Sequence, residues 1–250
     1  AGLGMRSAGH IGAAAGEVVV TTAGWLENAG QIDSNTRLHI SAAGPIGNSG
    51  TLLAGTDASL STPDNITLGG TLIARGDVSV AATGSTAWIE AGASSSLIAG
   101  RQADGTLGTT GTLQLKATRQ VGAHGYSLAG NQLEVTGGAI DLRGGQVAAR
   151  NLLLEASALG IDLSTSHITA QDTLMGTSPG LLRTAHAAIS AQSLRLDARS
   201  LDNTGGELIQ FGSNEMHLQL PGELTNSSGR IASNATMLRL GATTLDNTGG

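Results

Sequence analysis

The sequence contains no cysteine, only four prolines, and only four aromatic residues: Trp25, Trp88, Tyr126 and Phe211. Without cysteine there is no disulfide framework and no thiolate metal site, although the compartment stays open. The scarcity of aromatics excludes an ordinary enzyme-like core, which draws much of its buried area from such rings. Charged residues make up 13%, about half the usual share. The chain is nonetheless not disordered, because 40% of it is hydrophobic and its net charge is only -6. No run of 18 apolar residues is present, so no helix is expected to span a membrane. Residues 1–20 lack a basic start followed by an apolar block, so no signal peptide is visible. The remainder is rich in Gly (38 residues), Ala, Leu, Ile, Val, Thr, Ser and Asn, a mixture suited to short strands joined by tight turns.

One phrase recurs in what remains. Leu201-Asp202-Asn203-Thr204-Gly205-Gly206 returns as Leu224-Thr225-Asn226-Ser227-Ser228-Gly229 and as Leu245-Asp246-Asn247-Thr248-Gly249-Gly250, at nearly equal intervals. Earlier copies are Leu26-Glu27-Asn28-Ala29-Gly30 and Ile46-Gly47-Asn48-Ser49-Gly50, with a degraded one at Ile66-Thr67-Leu68-Gly69-Gly70. Asn28, Asn48, Asn203, Asn226 and Asn247 thus hold one position, with Gly two or three residues later. Asn and Gly both tolerate left-handed backbone, so the cluster reads as a turn. An alternating apolar triplet follows, starting near Leu38, Ala58, Val78, Leu113, Leu133, Leu152, Leu174, Leu194, Leu218 and Leu238. Except between Val78 and Leu113, each step covers roughly 20 residues, a period typical of repeat architectures. The whole span from Leu38 to Leu238 fits ten such steps. Ile140-Asp141-Leu142 recurs as Ile161-Asp162-Leu163, and Glu134 is matched in the same offset by Glu155. By contrast, 2–15 is Gly/Ala-rich and weakly patterned, and Glu17–Thr21 reads as a strand.

Apolar residues at i and i+2 exclude a helix. At about 3.3 Å per residue, a unit of this length makes a circuit of three short strands. A single circuit cannot bury its own apolar face, but stacked circuits pair each strand with its copies above and below. The fold class expected is all-β, a parallel β-helix or solenoid of about 12 coils and about 60 Å, right-handed by the crossover rule. Stacked Asn side chains at the turn would form a hydrogen-bonded corner ladder. Residues 1–250 read as a single rod with two irregular stretches, 81–111 and 175–188, where a loop would leave it. The chain stops inside a copy of its own phrase, at Gly249-Gly250, and reads as a piece of a longer protein.

The unit Ser193-Leu194-Arg195-Leu196-Asp197-Ala198 followed by Leu201-Asp202-Asn203-Thr204-Gly205-Gly206-Glu207-Leu208 resembles the shaft repeats of bacterial filamentous haemagglutinins, the large exoproteins of two-partner secretion, including contact-dependent growth inhibition effectors. The likeness is strong over 191–250, fair over 25–72 and weak between. It implies export through an outer-membrane partner transporter, display on the cell surface, and a role in adhesion or in presenting a toxin to a receptor or glycan on a host or neighbouring cell. Neither the Asn-Pro-Asn motifs of the family's secretion domain nor a toxin-like C-terminal domain is present, so the segment resembles internal shaft.

Site chemistry has little to stand on. Stacked Asp141 and Asp162 could form the acid/base pair of a polysaccharide-cleaving β-helix. Each Asp, however, sits between inward residues and so faces out, as a solvated charge does. The six His lack metal-binding spacing, and no phosphate loop follows Gly137-Gly138 or Gly144-Gly145. Basic residues are scattered and outnumbered, 13 to 19, which argues against nucleic acid as a partner. Trp25 and Trp88 are the candidates for contact with a receptor or glycan, against the commoner role of packing on a coil. A monomeric shaft without catalytic residue, metal or cofactor is the leading expectation. A direct binding module comes second and a β-helix polysaccharide lyase or hydrolase third.

Overall fold

Inward positions that alternate with polar ones every second position leave each strand with one face to bury, and parallel stacking of successive circuits is what buries it. The computed structural model describes residues 3–250; 1 and 2, including the first residue of the weakly patterned start, lie outside the described residues. The chain is a parallel β-solenoid of 29 strands in one continuous hydrogen-bonded sheet, with no helix among the described residues. Each coil crosses three faces. The first face begins with Met5–Ser7, Leu26–Asn28 and Ile46–Asn48 and is crossed twelve times, down to Thr244–Asp246. The second begins with His10–Ala13 and Gln31–Ser34, and the third with Val18–Thr22 and Leu38–Ala42. Successive partners on the first face keep a nearly constant separation, as Leu26 and Ile46 or Ile140 and Ile161 do; only Ile89 and Val121 stand much further apart in sequence.

The interior is a set of columns. On the first two faces a large aliphatic residue is followed, two positions on, by a small or polar one in most coils, Leu68, Leu142 and Leu163 being exceptions on the first face. The column Ala54, Ala74, Ala99, Ala129, Ala149, Ala170 and Ala191 on the second face is buried throughout. The third face carries two large residues per strand, such as Leu38/Ile40 and Leu113/Leu115, all fully buried. Aromatic rings would not fit beside an alanine column, which explains their scarcity. Each fully buried Leu or Ile contributes about 1.5–3 kcal/mol relative to exposure. Where Gly176 replaces a large residue, a Cβ would come within 2.9 Å of Leu196, so the neighbouring leucine fills the space.

Several expectations need correction. The weakly patterned start forms two strands, Met5–Ser7 and His10–Ala13. In the third-face column Leu218 pairs with Leu196, not Leu194, and it is Met216 that stacks with Leu238. The turn before Met216 is longer than its counterparts, and this delays the strand that follows. From Leu38 to Leu238 there are accordingly nine steps, the long one from Val78 to Leu113 among them, rather than ten equal ones. Glu134 stacks on Leu153, while Glu155 stacks on Thr136 and Thr177. The coil from Leu133 to Leu152 is shorter than the interval at which the sequence repeats, so the two glutamates slide out of register by two positions. Asp141 does stack on Asp162.

The irregular stretches resolve differently. Ala81 and Ala82 complete the strand Val78–Ala82, and Trp88–Ala91 and Ser96–Ala99 run within the coil. The excursion is confined to 100–111. Its neck is two glycines with positive φ, Gly100 (83°) and Gly111 (94°), so close that a Cβ on Gly111 would overlap the Gly100 nitrogen. The loop is tied internally by Gln102 N–H to Thr106 O (2.8 Å), Gly108 N–H to Gly100 O (2.9 Å) and an antiparallel bridge between Arg101 and Leu107. The other stretch does not leave the rod. Residues 175–183 belong to the strand His167–Arg183, paired with Ala188–Asp202, and a register shift between Ser178 and Leu181 absorbs Pro179-Gly180, as a bulge does for a residue without an N–H.

The left-handed position of the turn is not the asparagine. In the six coils from Asp141 onward it falls later at the same corner: Gly144, Thr165, His186, Gly205, Ser228 and Gly249. Thr165, at φ 59°, is β-branched and therefore the least tolerant of this conformation. Thr165→Gly is expected to stabilise the chain by about 1 kcal/mol, seen as a higher urea midpoint at unchanged slope.

Candidate functional site

The first face carries the repeat phrase, and its inward and outward columns use polar side chains in different ways. Inward, Asn28 and Asn48 are each 2% exposed, and Asn28 Nδ2 donates to Asn48 Oδ1 at 2.8 Å. Asn48 Nδ2 donates on to the Thr71 carbonyl (3.2 Å). The next five coils carry Leu68, Ala91, Ala123, Leu142 and Leu163 at this position, all buried. A second block then begins. Thr184 Oγ1 donates to Asn203 Oδ1 (2.7 Å), Asn203 Nδ2 to Asn226 Oδ1 (2.6 Å), and Asn226 Nδ2 to Asn247 Oδ1 (2.6 Å). Each buried amide also donates across its own turn, as Asn203 does to Gly206 O at 3.1 Å. Polar groups are buried here because each is paired. Such an array has no unpaired donor aimed at a ligand.

Outward, the same strands build a ladder of alternating charge. His124 Nε2 lies 3.1 Å from Glu90 and its Nδ1 3.9 Å from Asp141. Arg143 grips Asp141 at 2.6 Å and reaches Asp162 at 3.9 Å, while Arg183 lies 3.5 Å from both Asp162 and Asp202. Gly122 stands between Glu90 and Asp141 in the column, and a Cβ there would overlap the Glu90 carboxylate; glycine lets Glu90 fold across to His124. Motif spacing did not disclose this ladder, because His124 and Arg143 sit in the turns and, apart from the Arg143–Asp141 pair, the contacts run between coils.

Its chemistry opposes acid catalysis. A general-acid carboxyl has a raised pKa. Burial pushes the Asp141 carboxyl up, but hydrogen bonds from the Arg143 guanidinium and backbone N–H, with the nearby charges of His124 and Arg143, outweigh it and hold the group below its ordinary 3.8. A depressed carboxylate contributes stability above its unfolded pKa and loses it as pH falls through the folded value, so this contribution disappears below pH 3.8. Arg143→Gln is expected to move the Asp141 midpoint upward in a carboxylate NMR titration while leaving that of Glu215, lowered by its hydrogen bond with Arg239 elsewhere, in place. Among the described residues no three His, Asp or Glu converge to hold a metal ion.

Trp25 and Trp88 occupy one column, at the position just before the first inward residue of the face. They do not meet, because Pro45 and Asn65 lie on the two coils between, which puts them about 14 Å apart at the strand spacing. The Trp25 indole lies over Gly4, where a Cβ would overlap the ring, and is 40% exposed. Beside it runs an open groove of about 580 Å³ lined by Arg6, Glu27, Pro45, Gly47, Ser49 and Thr67. Trp88 borders a smaller groove with Glu90, Arg119 and Gln120.

Comparison with known proteins agrees with this architecture. The family model described as haemagglutinin repeat matches residues 8–50, 35–87 and 101–174. The chain is 38% identical over 230 residues to Toxin CdiA of Yersinia pestis, an alignment covering 92% of this chain and 7% of that protein. No solved structure matches. With repeats matched over more than half its length and the coils those repeats encode, the chain belongs to the haemagglutinin-repeat family of filamentous haemagglutinin-type proteins.

Proposed function

We propose that this segment is a structural shaft of a large exported surface filament, holding adhesive or toxin-bearing regions away from the cell that makes it. The observation that carries this reading is the unbroken parallel ladder from Met5 to Asp246. Every coil is braced along the axis by backbone hydrogen bonds, and the stacked carboxylates Asp141, Asp162 and Asp202 of the first face are paired with Arg143 and Arg183. Such a body resists bending and needs no ligand, so the mechanism is mechanical and no reaction is assigned to it. Membership in the haemagglutinin-repeat family and the likeness to a protein named as a toxin support passage through an outer-membrane partner transporter, an address on the outer surface, and a receptor or glycan on the opposing cell. The chain spans only 7% of that relative, so these roles belong to the proposal.

A second reading, direct contact through the Trp25 groove, is favoured by the exposed indole beside it. The two are separated by placing Trp25→Ala and Trp88→Ala together in the full-length parent. A shaft leaves surface display and target-cell binding unchanged. Display retained with target-cell binding lost would replace the shaft reading by the second.

A further inference from the structure

We infer that the 100–111 loop and the second face beneath it form a binding groove for a carboxylated sugar. The second face breaks its own pattern here. Leu53, Ile73, Ile98 and Leu128 stack outward in one column, half-buried, four large aliphatic residues in succession where the rest of the column carries small or polar residues such as Asp33, Ala148, Thr169 and Ser190 and only Ile209 as a further large one. The loop leaves directly after this column's third member and lies back over the first two. Between loop and face runs a groove of about 420 Å³, within the range of small-ligand sites. Its floor is Leu53 and Ile73, one rung or about 4.8 Å apart, and its edges carry Gln31 and Asn35 from the rod and Gln102 from the loop.

Two guanidiniums, Arg75 from the rod and Arg101 from the loop neck, line this groove. Of the ten other arginines, seven are paired with carboxylates, and Arg37, Arg119 and Arg199 stand singly away from this groove. Neither Arg75 nor Arg101 has a carboxylate partner among the described residues. Asp33, the acid on the groove's wall, is taken up by His10 and by Gln31 Nε2 (2.8 Å). Unpaired guanidiniums beside an apolar floor, in a protein of net charge -6, complement an anionic group joined to a flat, partly apolar body. The amides suit hydroxyl groups. A pyranose bearing a carboxylate combines all three features: ring on Leu53 and Ile73, carboxylate between Arg75 and Arg101, hydroxyls on Gln31, Asn35 and Gln102. The glycine-necked, internally bonded loop keeps the groove formed before the ligand arrives, which lowers the entropy cost of binding.

The test is titration calorimetry of the whole chain with a hyaluronan tetrasaccharide, with the same tetrasaccharide carboxyl-reduced, and with a short polyglutamate peptide. Arg75→Gln and Arg101→Gln remove an exposed and a half-buried charge without touching the core, and circular dichroism checks that the coil persists. The acidic sugar is expected to bind, with affinity falling about tenfold per arginine removed and by a similar factor on carboxyl reduction, while polyglutamate binds far more weakly. Absence of binding to the acidic tetrasaccharide would overturn the proposal. So would equal affinity for its neutral form, equal affinity for polyglutamate (a plain anion site), or indifference to the double substitution.

Discussion

Asn203→Ala is expected to lower the unfolding free energy by about 2–4 kcal/mol, more than a surface polar substitution ever does. Asn203 is fully buried, and its amide is committed on both sides: it accepts from Thr184 Oγ1 at 2.7 Å and donates to Asn226 Oδ1 at 2.6 Å and Gly206 O at 3.1 Å. Truncation leaves the Thr184 hydroxyl, itself 0% exposed, with only its long bond to the Asp202 carbonyl (3.4 Å) and leaves the Asn226 side-chain carbonyl oxygen without its donor. An unsatisfied buried group costs its full desolvation penalty, whereas removing both partners can be nearly neutral. Thr184→Val with Asn203→Ala should therefore cost less than the two single changes added together. Because coils interact mainly with their neighbours, amide exchange should accelerate over 184–247 and stay protected around Asn48. Uniform acceleration along the whole chain would show that the corner ladder is not the local brace proposed here.

The other large effect is expected from Val80→Pro. Val80 lies in the middle of Val78–Ala82, is 0% exposed, and is paired with Leu60 on one coil and Leu115 on the other. In a strand flanked on both sides every N–H is committed, and proline removes one of them, leaving a buried carbonyl unsatisfied at about 1–3 kcal/mol before any clash of its ring is added. The native prolines avoid such positions: Pro45, Pro63 and Pro221 stand in turns, and Pro179 at a register shift. Val80→Ala serves as the control for lost volume, and its smaller cost isolates the hydrogen bond and the ring clash. The rod should then melt in two steps, one for the coils on each side. A single transition shifted by no more than that of Val80→Ala would place Val80 outside a two-sided ladder.

What the sequence disclosed was the repeat, because each coil must solve the same packing problem and leaves the same alternation behind. Leu38, Ala58 and Val78 stack at a constant interval, so their column was legible. Legibility ended wherever a turn changed length. A longer turn before Met216 hid the stacking of Leu196 on Leu218, and a short coil after Leu133 separated Glu134 from Glu155. The outward charge ladder was hidden for a related reason. Arg183 meets Asp162 and Asp202 across coils, through spacings that carry no motif. The groove under the 100–111 loop depends on where a loop folds back, which no periodicity encodes. The left-handed corner at Thr165 and His186 was invisible because the residues there are neither Gly nor Asn.

In-register parallel stacking is the central claim, and electron-resonance distances along one outward column test it most directly. Val19, His39, Ser59, Ser79, Gln114, Glu134, Leu153, Met175, Arg195, His217 and Arg239 are successive partners on the third face, and a chain without cysteine allows labels to be placed pairwise at will. With Val19 labelled, the second label at Glu134, Arg195 and Arg239 lies five, eight and ten rungs away, at backbone separations of about 24, 38 and 48 Å. Distances rising in these steps, with Ser79 and Gln114 one rung apart although the whole 100–111 loop lies between them in sequence, are the predicted result. Distances that follow sequence separation through that loop, or that level off as in a compact globule, would contradict the account.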